Sequence, residues 1–315
     1  MNPGNLIADL ISVIVPCYNE EESLPMFYEK TLEVLCSIEN ADYEFIFVDD
    51  GSTDRTPEYL KKLRQQDERC RYISFSRNFG KEAAMFAGLK EAKGDYCVIM
   101  DADLQHPPTL LPDMYRAVSM EGWDCCGGKR KGREGDGGLR AFLSRAFYRA
   151  SSRLTHMDMR DGQGDFRMMC RKMTDAIINT GEYNRYMKGI FCFVGFRTKW
   201  IEYENVERTC GSTKWSFKGL FKYAAEGIMS FSSAPLKLPG FLGLTSIIAG
   251  LVFAMVNAFH LISGTGQISG TELIICVVML LAGVQLISIY IMGLYIYKDC
   301  LESKKRPVYI IRERG

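Results

Sequence analysis

Histidine is scarce in this chain, with three in 315 residues, too few for a histidine-based zinc centre. Cysteine is plentiful but has no pattern. The eleven cysteines form no Cys-x-x-Cys pair, and many stand inside apolar runs (Cys17, Cys70, Cys97, Cys170, Cys192). They read as buried thiols in a reducing compartment, with no disulfide framework. An excess of either charge is also missing. The formal net charge is +1, so no global basic field argues for a nucleic-acid partner. Met1 to Asp9 lacks the basic-then-apolar order of a signal peptide. There is no internal repeat and no low-complexity tract.

What stands out instead is Asp101-Ala102-Asp103, delivered directly by the apolar run Tyr96-Cys97-Val98-Ile99-Met100. Acidic side chains are almost never fully buried unless paired or metal-bound. Oxygen-only ligands suit a hard divalent cation, and Mg²⁺ is typically held by one or two carboxylates plus substrate phosphates. Gln105 adds a neutral oxygen two residues later. The pair reads as a metal–diphosphate clamp, although an acidic turn after a strand is also common.

Up to about residue 200, short apolar runs alternate with amphipathic segments. Strands are expected at Ile11–Val15, Tyr43–Val48, Tyr72–Phe75 and Tyr96–Met100. Helices are expected from about Glu20 to Ile38, from a cap at Thr53 or Asp54 through Leu63, and over Lys81–Ala92. Such alternation predicts a parallel, mostly doubly wound α/β sheet. Ligands of such sheets bind beyond the carboxyl ends of the strands. The polar clusters fall there: Pro16-x-Tyr18-Asn19-Glu20, Asp49-Asp50, Arg77-Asn78 and Asp101-x-Asp103-x-Gln105. Asp49 is expected to brace its turn. Lys81 is either a first-turn surface lysine or a donor contact, and His106 and His156 read as structural. The Gly-rich basic segment Lys129 to Arg140 suits either a soluble loop or an active-site lid.

The last third has a different character. No charged side chain occurs from Leu238 to Gly270, nor from Leu273 to Tyr297. Each stretch exceeds the roughly 20 residues that span a bilayer. Lys237 precedes the first, and Lys298, Lys304, Lys305 and Arg306 follow the second. The positive-inside rule then puts both flanks in the cytoplasm, with the short loop outside. Leu220–Ser233 reads as an interfacial amphipathic helix, and Trp215 as an anchor at headgroup level. The expected organisation is a catalytic domain over 1–214, juxtamembrane helices over 215–236, two transmembrane helices over 237–298 and a basic cytoplasmic tail over 299–315. Small residues in the spans (Gly243, Ala249, Gly250, Ala282, Gly283) permit close packing, and a homo-oligomer is expected.

Ser12-Val-Ile-Val-Pro16-Cys-Tyr18-Asn19-Glu20, Phe47-Val-Asp49-Asp50-Gly51-Ser52-Thr-Asp54 and Asp101-Ala-Asp103-Leu-Gln105-His-Pro107-Pro108 resemble the inverting family 2 glycosyltransferases of GT-A fold. More narrowly, the chain resembles the polyprenyl-phosphate glycosyltransferases. Further resemblance lies in Ser76-Arg77-Asn78-Phe79-Gly80-Lys81-Glu82, Gly164-Asp165-Phe166-Arg167 and Arg208-x-x-Gly211-Ser212-x-Lys214. The resemblance implies a GT-A, Rossmann-like catalytic domain followed by a two-helix hairpin in the cell membrane. It implies that Pro16, Tyr18, Glu20 and Asp50 hold the nucleotide, that Lys81 and Ala102 also bind the donor, and that Asp101, Asp103 and Gln105 bind Mg²⁺ or Mn²⁺ and through it the donor diphosphate. Asp165 would be the catalytic acid residue, and Arg208, Lys214 and Arg133 would grip the acceptor phosphate. Many bacterial members read Asp-x-Gly-Asp-Phe-Arg, whereas here Asp161 stands one residue further away. The donor expected by resemblance is UDP-glucose, with UDP-N-acetylhexosamine and GDP-mannose as alternatives, and the acceptor is undecaprenyl phosphate. A processive synthase is disfavoured by the lack of a Gln-x-x-Arg-Trp motif. A catalytically dead membrane scaffold is disfavoured by the intact acids.

Overall fold

A computed structural model of the chain describes residues 8–131, 163–182, 185–204, 255 and 270–315. The chain divides into two compact units, Met1–Gly227 with Pro307–Gly315, and Ile228–Arg306.

In the first unit the alternation of strands and helices holds, with the first three strands longer than expected and the fourth one residue shorter. β1 (Asp9–Cys17), β2 (Ala41–Asp49), β3 (Cys70–Phe75) and β4 (Tyr96–Ile99) are joined through α1 (Leu24–Leu35), α2 (Thr56–Gln66) and α3 (Lys81–Glu91). α1 begins four residues later than expected because Pro25 falls in its first turn, where a missing N–H costs nothing. Asp54 serves the start of α2 from outside it, accepting from the Thr56 N–H at 3.0 Å. β1 pairs in parallel with β2 on one side and β4 on the other, and β2 pairs in parallel with β3. The apolar runs of β1 and β2 are buried on both faces, as parallel strands covered by helices must be. The core is aromatic beside β2, where Phe45 and Phe47 stack with centroids 5.6 Å apart.

Beyond β4 the sheet continues with strands the sequence did not reveal. After α4 (Leu111–Ser119) come β5 (Cys125–Lys131), β6 (Gln163–Cys170) and β7 (Thr198–Glu204). The eight-stranded order is β7-β5-β6-β4-β1-β2-β3-β8, where β8 is Ile311–Arg314. β6 runs antiparallel to both β4 and β5. β5 and β7 are parallel to each other. The sheet is thus parallel at its centre and mixed at both flanks. The sequence reading treats 299–315 as a basic tail, but its end is a strand antiparallel to β3.

In the second unit the described structure is mainly the 34-residue helix Gly270–Ser303. Judged on the described residues, no helix is long and apolar enough to cross a membrane. The first expected span and the segment Leu220–Ser233 lie outside the described residues, so the hairpin stays an expectation.

Candidate active site

Register explains how distant residues meet. The chain steps outward from β1 through β2 to β3 and then returns to the other side of β1 with β4, which makes the β1/β4 boundary the switch point where open α/β sheets bind ligands. Asp101 follows the carboxyl end of β4. On the antiparallel neighbour, Ile99 pairs with Arg167, so the same register continued two residues brings Asp165 opposite Asp101. The amino end of β6 therefore serves the same edge as the carboxyl ends of β1, β2, β4 and β5.

Lys81, the first residue of α3, bridges the two acids. Its Nζ lies 2.7 Å from Asp101 Oδ1 and 3.1 Å from Asp165 Oδ2. Burial opposes ionisation of Asp101, but Lys81 and His106 outweigh it and hold the carboxyl below its ordinary range. Burial likewise opposes ionisation of Asp165, and the cations of Lys81, Lys188 and Arg167 overcome it, holding that carboxyl far below the usual carboxylate range. The other oxygen of Asp165, Oδ1, is buried and has no hydrogen-bond partner among the described residues. A buried acceptor without a donor costs free energy.

The turn after Asp101 is bound tightly to its surroundings. Leu104 has φ +59°, a left-handed conformation unusual for such a residue. It folds the chain back so that the Gln105 N–H donates to Asp103 Oδ1 at 3.1 Å. The Gln105 side-chain oxygen accepts from Arg130 at 3.0 Å. His106 is buried, which pushes its pKa down. Its Nδ1 accepts the Asp101 N–H at 3.0 Å, and its ring stacks on Phe166, next to Asp165, at 4.9 Å. The imidazole thus ties the acid pair to β6, in line with the structural role expected of it.

On the β1/β2 side the polar residues hold loops in place. Asp49 Oδ1 accepts from the Ser52 N–H at 2.9 Å and Oδ2 from the Ser74 hydroxyl at 2.5 Å, the brace expected of it. Asp50 is also a brace, which sequence reasoning missed. Its two oxygens accept from the N–H groups of Phe79 at 2.6 Å and Gly80 at 2.9 Å. Burial raises its pKa to about 6 against the pull of those two donors. Asn19 (φ +54°) accepts from the Thr53 N–H at 2.8 Å, joining the loop after β1 to the loop after β2. Pro16 is half-buried at the end of β1, with Tyr18 and Glu20 half-buried in the loop that follows. The Glu20 carboxylate accepts from the Ser23 hydroxyl at 2.7 Å.

The structure thus brings together Asp101, Asp103, Asp165, Lys81 and Gln105, with Ala102 buried beneath. It adds Arg130, whose Nε donates to the Tyr203 hydroxyl at 3.2 Å. Sequence reasoning passed over Arg130 because it stands in a basic run that reads as solvated loop. Arg133, Arg208, Lys214, Asp161 and Trp215 lie outside the described residues. Among the described residues no group of three or more His, Cys, Asp or Glu forms a ready metal cage. The oxygen-only set of Asp101 and Asp103 nevertheless fits a hard divalent ion that keeps coordination sites for a diphosphate.

The Glycosyl transferase family 2 model matches residues 12–178. CsbB of Bacillus subtilis (strain 168), named only provisionally as a glycosyltransferase, is 40% identical over 304 residues, covering 96% of this chain and 92% of its own. The bactoprenol glucosyl transferase of Shigella phage SfV is 37% identical over 303 residues, covering 96% and 98%. Among solved structures, glucosyl-3-phosphoglycerate synthase from Mycobacterium tuberculosis, in complex with Mn²⁺, UDP and phosphoglyceric acid, has a TM-score of 0.50 at 20% identity. That match covers 72% of this chain and 80% of the synthase. The fold is the GT-A, Rossmann-like α/β fold expected from the sequence motifs. Since the family match takes in the strands that carry both acids, and the relatives align almost end to end, the chain belongs to glycosyl transferase family 2.

Proposed function

We propose that the chain transfers one sugar from a nucleotide sugar, best read as UDP-glucose, to a polyprenyl phosphate, with inversion and with help from Mg²⁺ or Mn²⁺. The observation that carries this reading is the meeting of Asp101 and Asp165 on Lys81, with Asp103 two residues further along the same turn, at the switch point of the sheet. The names of the bactoprenol glucosyl transferases support the acceptor class.

In this reaction an oxygen of the lipid phosphate attacks the anomeric carbon while the bond from that carbon to the donor diphosphate breaks, and the electron pair leaves with the nucleoside diphosphate. Asp101 and Asp103 would hold a divalent ion, which when bound would neutralise charge that grows on the leaving group. Lys81 lies beside both acids and would release one of them to pair with a phosphate. A phosphate monoester, with its second pKa near ~6, is already largely ionised at pH 7, so attack needs no strong base. Asp165, held ionised, is a weak proton acceptor. Its unpartnered Oδ1 suits it to orient a sugar hydroxyl. Arg130, with Arg133, Arg208 and Lys214, would hold the anionic acceptor near an acidic centre.

A cell-membrane location with the catalytic unit in the cytoplasm belongs to the same proposal. It is supported by the uncharged stretch Leu273–Tyr297 and by its exposed apolar residues. Ile274, Val278, Ile287, Tyr290 and Ile296 are all exposed and point around the helix, as in a helix that needs an apolar surrounding.

The test is transfer of radiolabelled sugar from a panel of UDP- and GDP-sugars to undecaprenyl phosphate in detergent, with Mg²⁺, Mn²⁺ or EDTA. A lipid-extractable product from one donor, abolished by EDTA and by Asp103→Asn, is expected. Silence across the panel with UDP binding intact would refute the acceptor assignment. Silence with no metal-dependent nucleotide binding would leave the scaffold reading in its place.

A further inference from the structure

The reaction as described uses nothing from Pro307–Gly315, yet these residues belong to the catalytic unit. They are fastened to the strand that feeds the donor side of the site. The Tyr309 ring stacks on Phe75, the last residue of β3, with centroids 4.9 Å apart and planes 13° from parallel. It also meets Phe86 of α3 edge-on at 6.2 Å. Phe75 in turn meets Phe79 edge-on at 5.8 Å, and the Arg77 guanidinium lies 4.0 Å over the Phe79 ring. Next along the chain, the Ile310 carbonyl accepts the Ser76 N–H at 2.9 Å. Tyr72 and Gly315 exchange two backbone hydrogen bonds, both 3.0 Å. Glu313 accepts from Lys61 at 2.7 Å and from the Tyr72 hydroxyl at 2.9 Å.

The five residues Ser76–Gly80 have no regular structure of their own. They end on Lys81, which bridges the acids, and they run through Phe79 and Gly80, whose amides sit on Asp50. Such a segment keeps its geometry only where other elements fix it. Asp50 fixes it from the side of β2. The opposite hold comes from Tyr309 and Ile310.

We infer that Tyr309 is a positioning residue for the nucleotide-sugar donor: its stack on Phe75, with β8 behind it, sets the loop that presents Lys81 to the acids. The inference rests on the reading of Lys81 as a group that serves the donor, given above. Aromatic pairs of this kind are directional and resist small displacements, and a misplacement of about 1 Å in a binding group is enough to change rates strongly. The hydroxyl has no part in the argument, so the ring alone should suffice.

The experiment compares Tyr309→Ala and Tyr309→Phe in the full-length protein, with two readouts. The first is donor KM and kcat. The second is amide hydrogen exchange, without substrate, at Phe79 and Gly80 against the amides of β1 and β2. Tyr309→Ala is expected to raise donor KM by about tenfold with kcat within about twofold of the parent. It should also speed exchange at Phe79 and Gly80 while the central strands keep their protection. Tyr309→Phe should restore both. Should Tyr309→Ala fail to fold, Tyr309→Leu keeps apolar volume without the stack and carries the same comparison. Unchanged loop exchange, or exchange that quickens equally across β1 and β2, would overturn the positioning role. Because exchange is read without donor, a parent protein inactive on every nucleotide sugar would sink the donor reading and still leave the hold on the loop decided.

Discussion

Asp50 titrates close to the physiological range, and the sign of its effect can be worked out. Its folded pKa of about 6 lies above the ordinary 3.8 because burial outweighs the amides of Phe79 and Gly80. The folded state therefore binds more protons than the unfolded state between those values, and the stability this group contributes falls as pH rises from about 4 to about 6. For function the direction reverses, because protonation removes the charge that holds the two amides. Donor kcat/KM should fall as pH drops through about 6, and Asp50→Asn should lose that limb; a pH profile of both proteins checks it. Asp165 behaves oppositely, since Lys81, Lys188 and Arg167 keep it ionised well into acid despite burial. Asp165→Asn should lower kcat by less than about tenfold, with the profile from pH 6 to 8 unchanged in shape. A loss on the order of 10²–10⁴ would mark a general base instead. At this scale the sequence was informative where a charge stood against its surroundings, as Asp101 and Asp103 do after an apolar run. It offered Lys81 as a surface lysine or a donor contact but could not show its bridge to the acids, because those partners are 20 and 84 residues away.

Turns and strands show the same division. Gly51 has φ +69°, and a Cβ there would lie 2.5 Å from the Arg77 carbonyl carbon and 2.8 Å from the Asn78 nitrogen. The turn after β2 therefore presses directly on the loop after β3. Gly51→Ala should cost about 2 kcal/mol through strain and displacement of that loop. Urea unfolding measures it, and a loss within 0.5 kcal/mol would mean the loop yields freely. The first four strands were legible because buried parallel strands are continuous apolar runs. The later ones were not. β5 reads Cys-Cys-Gly-Gly-Lys-Arg-Lys, whose glycines and basic residues mimic a loop. One of those glycines, Gly127, is needed because the Trp200 ring fills the place of its Cβ. β8 reads Ile-Arg-Glu-Arg, an edge strand whose charges suit its exposed position and hide it in a basic tail.

For the whole molecule, the proposed membrane attachment and the proposed catalysis should be separable. The full-length protein should stay with the membrane pellet after alkaline carbonate extraction, and Asp103→Asn should stay equally well while losing transfer; release of either into the supernatant would count against a spanning segment. The sequence reading set the last third apart because charge disappears over its stretches. The return of the chain to the first unit was not foreseen, since pairing between residues 73 and 314 leaves no local signal. That return imposes a counting rule. Residues on both sides of 228–306 are built into one unit, so a polypeptide that crosses a membrane within that stretch would have to come back to the side it left. Any crossings between are even in number, wherever Lys237, Lys298 and Lys304 fall. If that stretch spans a membrane as proposed, altering those charges would turn the molecule over as a body. It cannot leave Gly315 on the face opposite Asp101 without first drawing β8 out of the sheet.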